Sequence, residues 1–193
     1  MDEIVVKNKD EALEILVEEA QNGSTEAFSK IYDQFIDTIY RYVYYRVKSD
    51  DAEDLVETVF LKVWENLKKY KRSSSGFSSW IFRIAHNLVV DYYRLKKDKD
   101  VSELDVQLAD DKRDHNPIKQ TEDVFNSEIL KKALSKLKRH YQEIIVYKFV
   151  NEFSNEELAK LLKKSEGSLR ILQFRALKAL KYELDEMGVK YEF

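Results

Sequence analysis

Apolar residues recur along this chain with helical spacing in several separate blocks. After a short acidic stretch at 10–20 that predicts one helix, Phe28, Ile31, Tyr32, Phe35, Ile36, Ile39, Tyr40, Val43 and Val47 follow the i, i+3, i+4 pattern. They predict a long amphipathic helix with Ser24 as its N-cap. A second stripe, Ala52, Leu55, Val56, Val59, Phe60, Val63, Trp64 and Leu67, opens with Asp50, Asp51, Glu53 and Asp54, where the helix dipole favours carboxylates. A polar loop at 69–75 leads into a helix at 80–94 that is expected to bury Ile81, Ile84, Ala85, Leu88 and Tyr92.

Periodicity then stops. Residues 98–127 hold the only proline, Pro117, and read as a tether too polar to pack by itself. It resumes at Ile129, Leu130, Ala133, Leu134 and Leu137, continues through Ile144, Ile145, Phe149 and Val150, and ends in two helical segments at 155–162 and 166–186. Gly23, Gly76, Gly167 and Gly188 each fall at an expected helix boundary. The predicted fold is all-α: two small helical domains, 1–97 and 128–193, joined by a flexible acidic linker at 98–127.

Composition narrows the chemistry. The 193 residues contain no Cys, and His86, His115 and His140 stand at no metal-ligand spacing, so no metal and no cofactor is expected. No apolar run exceeds four residues, which argues against membrane insertion or a signal-peptide core and for a soluble, cytoplasmic protein.

The net charge of −3 misleads as a total. Residues 23–97 carry +3 and 129–193 carry +5, whereas 1–22 carry −5 and 98–128 carry −6. Screening confines a charge's reach to about 10 Å in 0.1 M salt, so the two basic modules are candidate nucleic-acid binders despite the acidic sum.

The second module has the spacing of a helix-turn-helix. Ser154 and Glu157 form a capping-box pattern ahead of Leu158, Leu161 and Leu162, and Ser165 can cap the next helix three residues later. On that helix Leu169, Leu172, Gln173, Ala176 and Leu180 share one face. Gly167, Arg170, Ile171, Phe174 and Lys178 share the other, flanked by Arg175. Long donors there suit base edges and phosphates, and the apolar pair Ile171 and Phe174 suits thymine methyls or a protein surface. A plain helical hairpin with a wet outer face is the alternative.

In the first module, Lys71, Arg72, Ser74, Ser75 and Phe77 lead into a helix whose outward side shows Arg83, Asn87, Val90 and Arg94, with His86 beside them. Cations interleaved with Tyr70, Phe77 and Trp80 suit an unpaired strand, because rings stack on bases while Lys and Arg follow phosphates; the alternative places the rings in the core. The preceding helix presents Asp54, Glu57, Thr58, Leu61 and Glu65 outward. Leu61, apolar among acids, fits either a solvated face or the centre of a protein contact.

These stretches resemble the bacterial sigma-70 family of RNA polymerase specificity subunits, in its small extracytoplasmic-function form. Asp51-Ala52-Glu53-Asp54-Leu55-Val56 through Phe60-Leu61-Lys62-Val63-Trp64 is similar to that family's polymerase-docking helix. Trp80-Ile81-Phe82-Arg83-Ile84-Ala85-His86-Asn87-Leu88 with Asp91-Tyr92 is similar to its promoter-melting and minus-10 segment. The segment 154–162 followed by Ser165-Glu166-Gly167-Ser168-Leu169-Arg170 and Arg175-Ala176-Leu177 is similar to its minus-35 reader. The likeness covers roughly 10–97 and 127–185, and 98–127 leaves no room for the middle domain of larger members. Departures are Glu57 and Thr58 on the docking helix, His86 where Arg is common, Leu137-Lys138 for Leu-Pro, and Lys163-Lys164 in the turn, where a positive φ at Lys163 carries a cost that glycine avoids.

The resemblance implies a dissociable sigma factor, not an enzyme, that directs core RNA polymerase to promoters and helps open them. Its partners would be the polymerase clamp, through Asp54, Glu57, Thr58, Leu61 and Glu65, the polymerase flap, through the second domain, and promoter DNA. The family admits an anti-sigma factor as a further partner. Lys71, Arg72, Ser74, Ser75, Phe77, Trp80, Arg83, His86, Asn87 and Arg94 would serve the minus-10 strand. Glu166, Gly167, Ser168, Arg170, Ile171, Phe174, Arg175 and Lys178 would serve the minus-35 duplex. Two other readings stand beside this one: a polymerase-independent helix-turn-helix regulator binding as a homodimer, and a helical hydrolase using the acids at 50–54, whose adjacent placement without a His or metal partner gives poor catalytic geometry.

Overall fold

A computed structural model describes residues 2–73, 75–99 and 121–189. They form α1 (Asp2–Gln21), α2 (Thr25–Tyr44), α3 (Ala52–Leu67), α4 (Gly76–Lys99), α5 (Thr121–Ser135), α6 (Arg139–Ile145), α7 (Asn155–Leu162) and α8 (Glu166–Glu186). A 3₁₀ turn, Ser49–Asp51, precedes α3, and a π-helical turn, Val146–Val150, follows α6. No strand occurs among the described residues, in keeping with the all-α expectation.

The capping signals act as read. Ser24 accepts from the Ala27 amide at 3.1 Å, and Gly23, at φ +100°, turns the chain out of α1. The stripe of α2 is buried at Ala27, Ile31, Phe35, Ile39 and Val43, facing Val56, Val59, Phe60 and Val63 of α3 and Phe77, Ile81 and Ala85 of α4. Gln21 ties these helices at one end, its Nε2 donating to the carbonyls of Leu67 and Tyr70 at 2.9 Å each. Buried Glu14 accepts from the Tyr70 hydroxyl at 2.8 Å, and burial together with that carboxylate pushes the phenol well up. The exit of α3 is thereby fixed where the basic loop begins.

Helix bounds move relative to expectation. α4 runs through Lys99 and α5 begins at Thr121, so both ends of the expected tether are helical; residues 100–120 lie outside those described. Trp64, assigned to the buried stripe of α3, is 43% exposed and meets Phe28 edge-on with only part of its ring.

The two domains pack against each other, which the periodicity did not indicate. α4 has two buried sides: Phe77, Ile81 and Ala85 serve the first domain, while Phe82, His86, Val89 and Tyr93, at i, i+4, i+7 and i+11, face α6, the π turn and α7. Ile144, Ile145, Val146 and Tyr147 are buried in succession, the signature of a segment covered on all sides, here by α8 and by the first domain. Tyr147 stacks on Tyr42 at 4.8 Å, and Phe82 stands edge-on to Phe153 at 4.8 Å.

Candidate nucleic-acid interface

α7 and α8 form the expected helix-turn-helix. Ser154 accepts from the Glu157 amide at 3.2 Å, and the Glu157 carboxylate accepts from the Ser154 amide at 2.7 Å, completing the capping box. Ser165 starts α8 by accepting from the Ser168 amide at 3.3 Å. The turn is set by Lys163, which adopts φ 52°, ψ 46° and lets the Lys164 amide close back on the Ala159 carbonyl at 3.1 Å. A left-handed residue here is the geometry of a helix C-cap; a lysine holds it at a cost of about 1 kcal/mol relative to glycine.

Leu169 and Ala176 of α8 are buried, which orients the rest of the helix. Glu166, Gly167, Ser168, Arg170, Ile171, Phe174, Arg175 and Lys178 are all exposed and lie toward one side. Phe174 is 69% and Ile171 56% exposed, and Leu177 and Tyr182 farther along the helix are exposed too, so α8 leaves several large apolar groups uncovered. Among the described residues Arg170 pairs with Glu166 across one turn, at 3.8 Å, and its guanidinium is exposed.

The first-domain cluster divides. Lys71, Arg72, Arg83, Asn87 and Arg94 are exposed and Ser75 is half-buried; Ser74 lies outside the described residues. Phe77 is a correction: at 1% exposure, edge-on to Phe35 at 5.9 Å and to Tyr70 at 5.2 Å, it is core and cannot stack on a base. Trp80, half-buried against Tyr70 and Phe77 at 5.2 Å from each, keeps one part of its ring outward. His86 is also differently placed, turned into the seam with its Nδ1 2.5 Å from Glu143 Oε1.

That seam concentrates charge. Arg46, 3% exposed, donates from Nη1 to the Tyr42 hydroxyl at 2.9 Å and lies 3.5 Å from Glu143 Oε1. Burial pushes the Glu143 carboxyl up, but the hydrogen bond from His86 and the charge of Arg46 outweigh it and hold the group below its ordinary value. Burial raises the Tyr42 phenol to about 12 despite the Arg46 charge. Further contacts across the seam are Gln142 Nε2 to the Tyr45 carbonyl at 2.8 Å, Arg139 over the Tyr93 ring at 4.1 Å, and Lys131 over the Tyr44 ring at 3.6 Å. Burial lowers the Lys131 ammonium to about 8, against the pull of Asp50 and Glu128. Sequence reasoning passed over Arg46, Glu143 and Gln142; the one available signal was Phe82, an apolar residue off the main stripe of α4.

On α3, Asp54, Glu57 and Glu65 are exposed and Thr58 half-buried, its hydroxyl donating to the Asp54 carbonyl at 2.8 Å. Leu61 is 55% exposed. With Trp64 and Tyr32, 39% exposed, it makes an apolar surface rimmed by acids. Among the described residues no group of three or more His, Asp or Glu is arranged to hold a metal ion, and no helix is long and apolar enough to cross a membrane.

Comparison with known proteins places these helices. Residues 31–98 match the sigma-70 region 2 family model, and residues 127–180 match that of sigma-70 region 4. The chain is 32% identical over 166 residues to the ECF RNA polymerase sigma factor BldN of Streptomyces coelicolor, covering 86% of this chain and spanning 63% of that protein's length. It is 25% identical over 183 residues to the ECF RNA polymerase sigma factor SigW of Bacillus subtilis, covering 89% of this chain and 96% of the other. The fold is similar to that of the sigma factor RpoE of Bartonella quintana, solved with the anti-sigma factor NepR, at a TM-score of 0.65 and 20% identity over 83% of this chain and 98% of that one. Regions 2 and 4 occur here in family order, one carried by α2 to α4 and the other by α5 to α8, and the chain therefore belongs to the sigma-70 family, in its extracytoplasmic-function group.

Proposed function

We propose that the protein is a sigma factor that directs core RNA polymerase to particular promoters and aids their opening. The observation that carries this reading is the pairing, in one chain, of an exposed helix-turn-helix face on α8 with an acid-rimmed apolar surface on α3. The first suits duplex DNA and the second suits another protein.

Arg170, Arg175 and Lys178 reach minus-35 base edges and phosphates, with Ile171 and Phe174 beside them for thymine methyls or a flap surface. Leu61 and Trp64 seat on the polymerase clamp. Lys71, Arg72, Arg83, Asn87 and Arg94 follow the minus-10 strand, with Trp80 as the available stacking ring. The role proposed for these groups is binding to DNA and to polymerase.

An anti-sigma factor is a partner of the structural relative, and the exposed apolar groups of α3 and α8 are the surfaces such a protein would cover. A regulator acting without polymerase would leave the α3 surface unused. A gel-shift titration separates the two: a promoter-specific complex forming only when core polymerase is present supports the sigma reading, and specific binding by the protein alone overturns it.

A further inference from the structure

The seam between the domains leaves one donor of a buried guanidinium without an acceptor among the described residues. Glu143 Oε1 serves both His86 Nδ1, at 2.5 Å, and Arg46 Nη1, at 3.5 Å, while Arg46 Nε is buried with no hydrogen-bond partner among the described residues. The Tyr42 hydroxyl, already accepting from Arg46, stands 3.5 Å from the same imidazole nitrogen. Arg83 and His86 line a cleft of about 180 Å³ that opens at this point, closed on the other side by Tyr147, Leu161 and Leu162. A planar guanidinium with a spare donor, an imidazole and a phenol hydroxyl, gathered here about one oxygen of the Glu143 carboxylate, are also donors that the oxygens of a phosphate can share.

The closed arrangement also conflicts with promoter reading. Elements named minus-10 and minus-35 lie about 25 base pairs apart, or about 85 Å of duplex at 3.4 Å per step. A compact chain of 193 residues has a radius of gyration of about 16 Å and spans about 40 Å. With α7 packed on α4, the two readers cannot reach both elements, so the seam must part.

We propose that Glu143 is a built-in stand-in for a DNA phosphate: in the closed chain its carboxylate fills an anion site made by Arg46, His86 and the Tyr42 hydroxyl. When the domains part, that site takes a phosphodiester of the unpaired promoter strand. Closure and strand binding then compete for the same donors. The inference rests on the promoter-opening role above and adds a ligand site to it.

The test uses the full chain, whose lack of Cys allows spin labels at Asp37→Cys and Glu186→Cys, both exposed positions away from the seam. Pulsed EPR reads the distance between the domains, and fluorescence anisotropy reads binding of fluorescein-labelled (dT)20. Glu143→Gln is expected to lengthen the distance and to tighten (dT)20 binding about tenfold, as when a minor open state becomes the major one. His86→Ala in the Glu143→Gln background is expected to reverse that gain, and inorganic phosphate to compete only weakly, since it lacks the neighbouring strand contacts. An unchanged distance overturns the latch. A longer distance without tighter binding, or a gain that survives His86→Ala, overturns the phosphate site. If Glu143→Gln loses helicity by circular dichroism, Glu143→Asp serves instead, with a smaller shift in the same direction. Run-off transcription by the wild-type chain with core polymerase reports separately on the promoter role, so failure of that role is distinguishable from failure of this site.

Discussion

Glu143 Oε1 lies 2.5 Å from His86 Nδ1, joining α6 of the second domain to α4 of the first. Because the carboxyl is held below its ordinary value of 4.5 in this position, the closed form binds its proton less readily than an open form does. Closure is therefore supported fully above about pH 4.5 and weakens as pH falls through the lowered value. Lys131 gives a second slope: its ammonium, lowered to about 8 from 10.5, makes closure rise with pH between those values. Interdomain distance measured from pH 3 to 10 should lengthen at the acid end, and Glu143→Gln should remove that acid limb.

Lys163 occupies the left-handed region at φ 52°. Lys163→Gly is expected to raise stability by up to about 1 kcal/mol in urea titration, the steric relief being partly offset by the freedom glycine adds to the unfolded chain. A loss of that size would mean the turn adopts another shape in solution.

Leu61 is the most exposed apolar group on α3. Leu61→Asp should abolish co-purification with core polymerase while leaving the thermal midpoint within a degree or two, because an exposed substitution removes little packing. Retention on polymerase would take α3 out of the contact.

Arg170, exposed and joined to Glu166 by a 3.8 Å ion pair, is available for a bidentate base contact. Arg170→Ala should cost about 1–3 kcal/mol at one or two minus-35 base pairs, read by transcription from a set of single-base promoter variants. A uniform loss across all variants would make it a phosphate contact instead.

Much of this architecture was legible in the residues. Ser24, Ser154 and Ser165 mark real helix starts because a short polar cap next to an apolar stripe has few other uses. The exposed face of α8 was legible from the opposite stripe of Leu169, Leu172, Gln173, Ala176 and Leu180, of which Leu169 and Ala176 are buried. What the sequence concealed was the second covered side of α4. Periodicity reports that a face is apolar without saying what covers it, and Phe82, His86, Val89 and Tyr93 mix rings, an imidazole and one aliphatic group into a stripe that reads as partly polar. For the same reason periodicity left Phe77 open between a stacking ring and the core and placed Trp64 in the core: Phe35, distant in sequence, covers the first, and the second lies at the open edge of α3.

Transcription reconstituted from purified core RNA polymerase, this protein and genomic DNA, with every transcript start mapped by sequencing, tests the sigma role most directly. The expected result is a small set of starts that appear only with the protein present, share upstream minus-10 and minus-35 sequences, and vanish with Leu61→Asp. Starts that are unaltered by adding the protein, beside specific DNA binding that needs no polymerase, would contradict it.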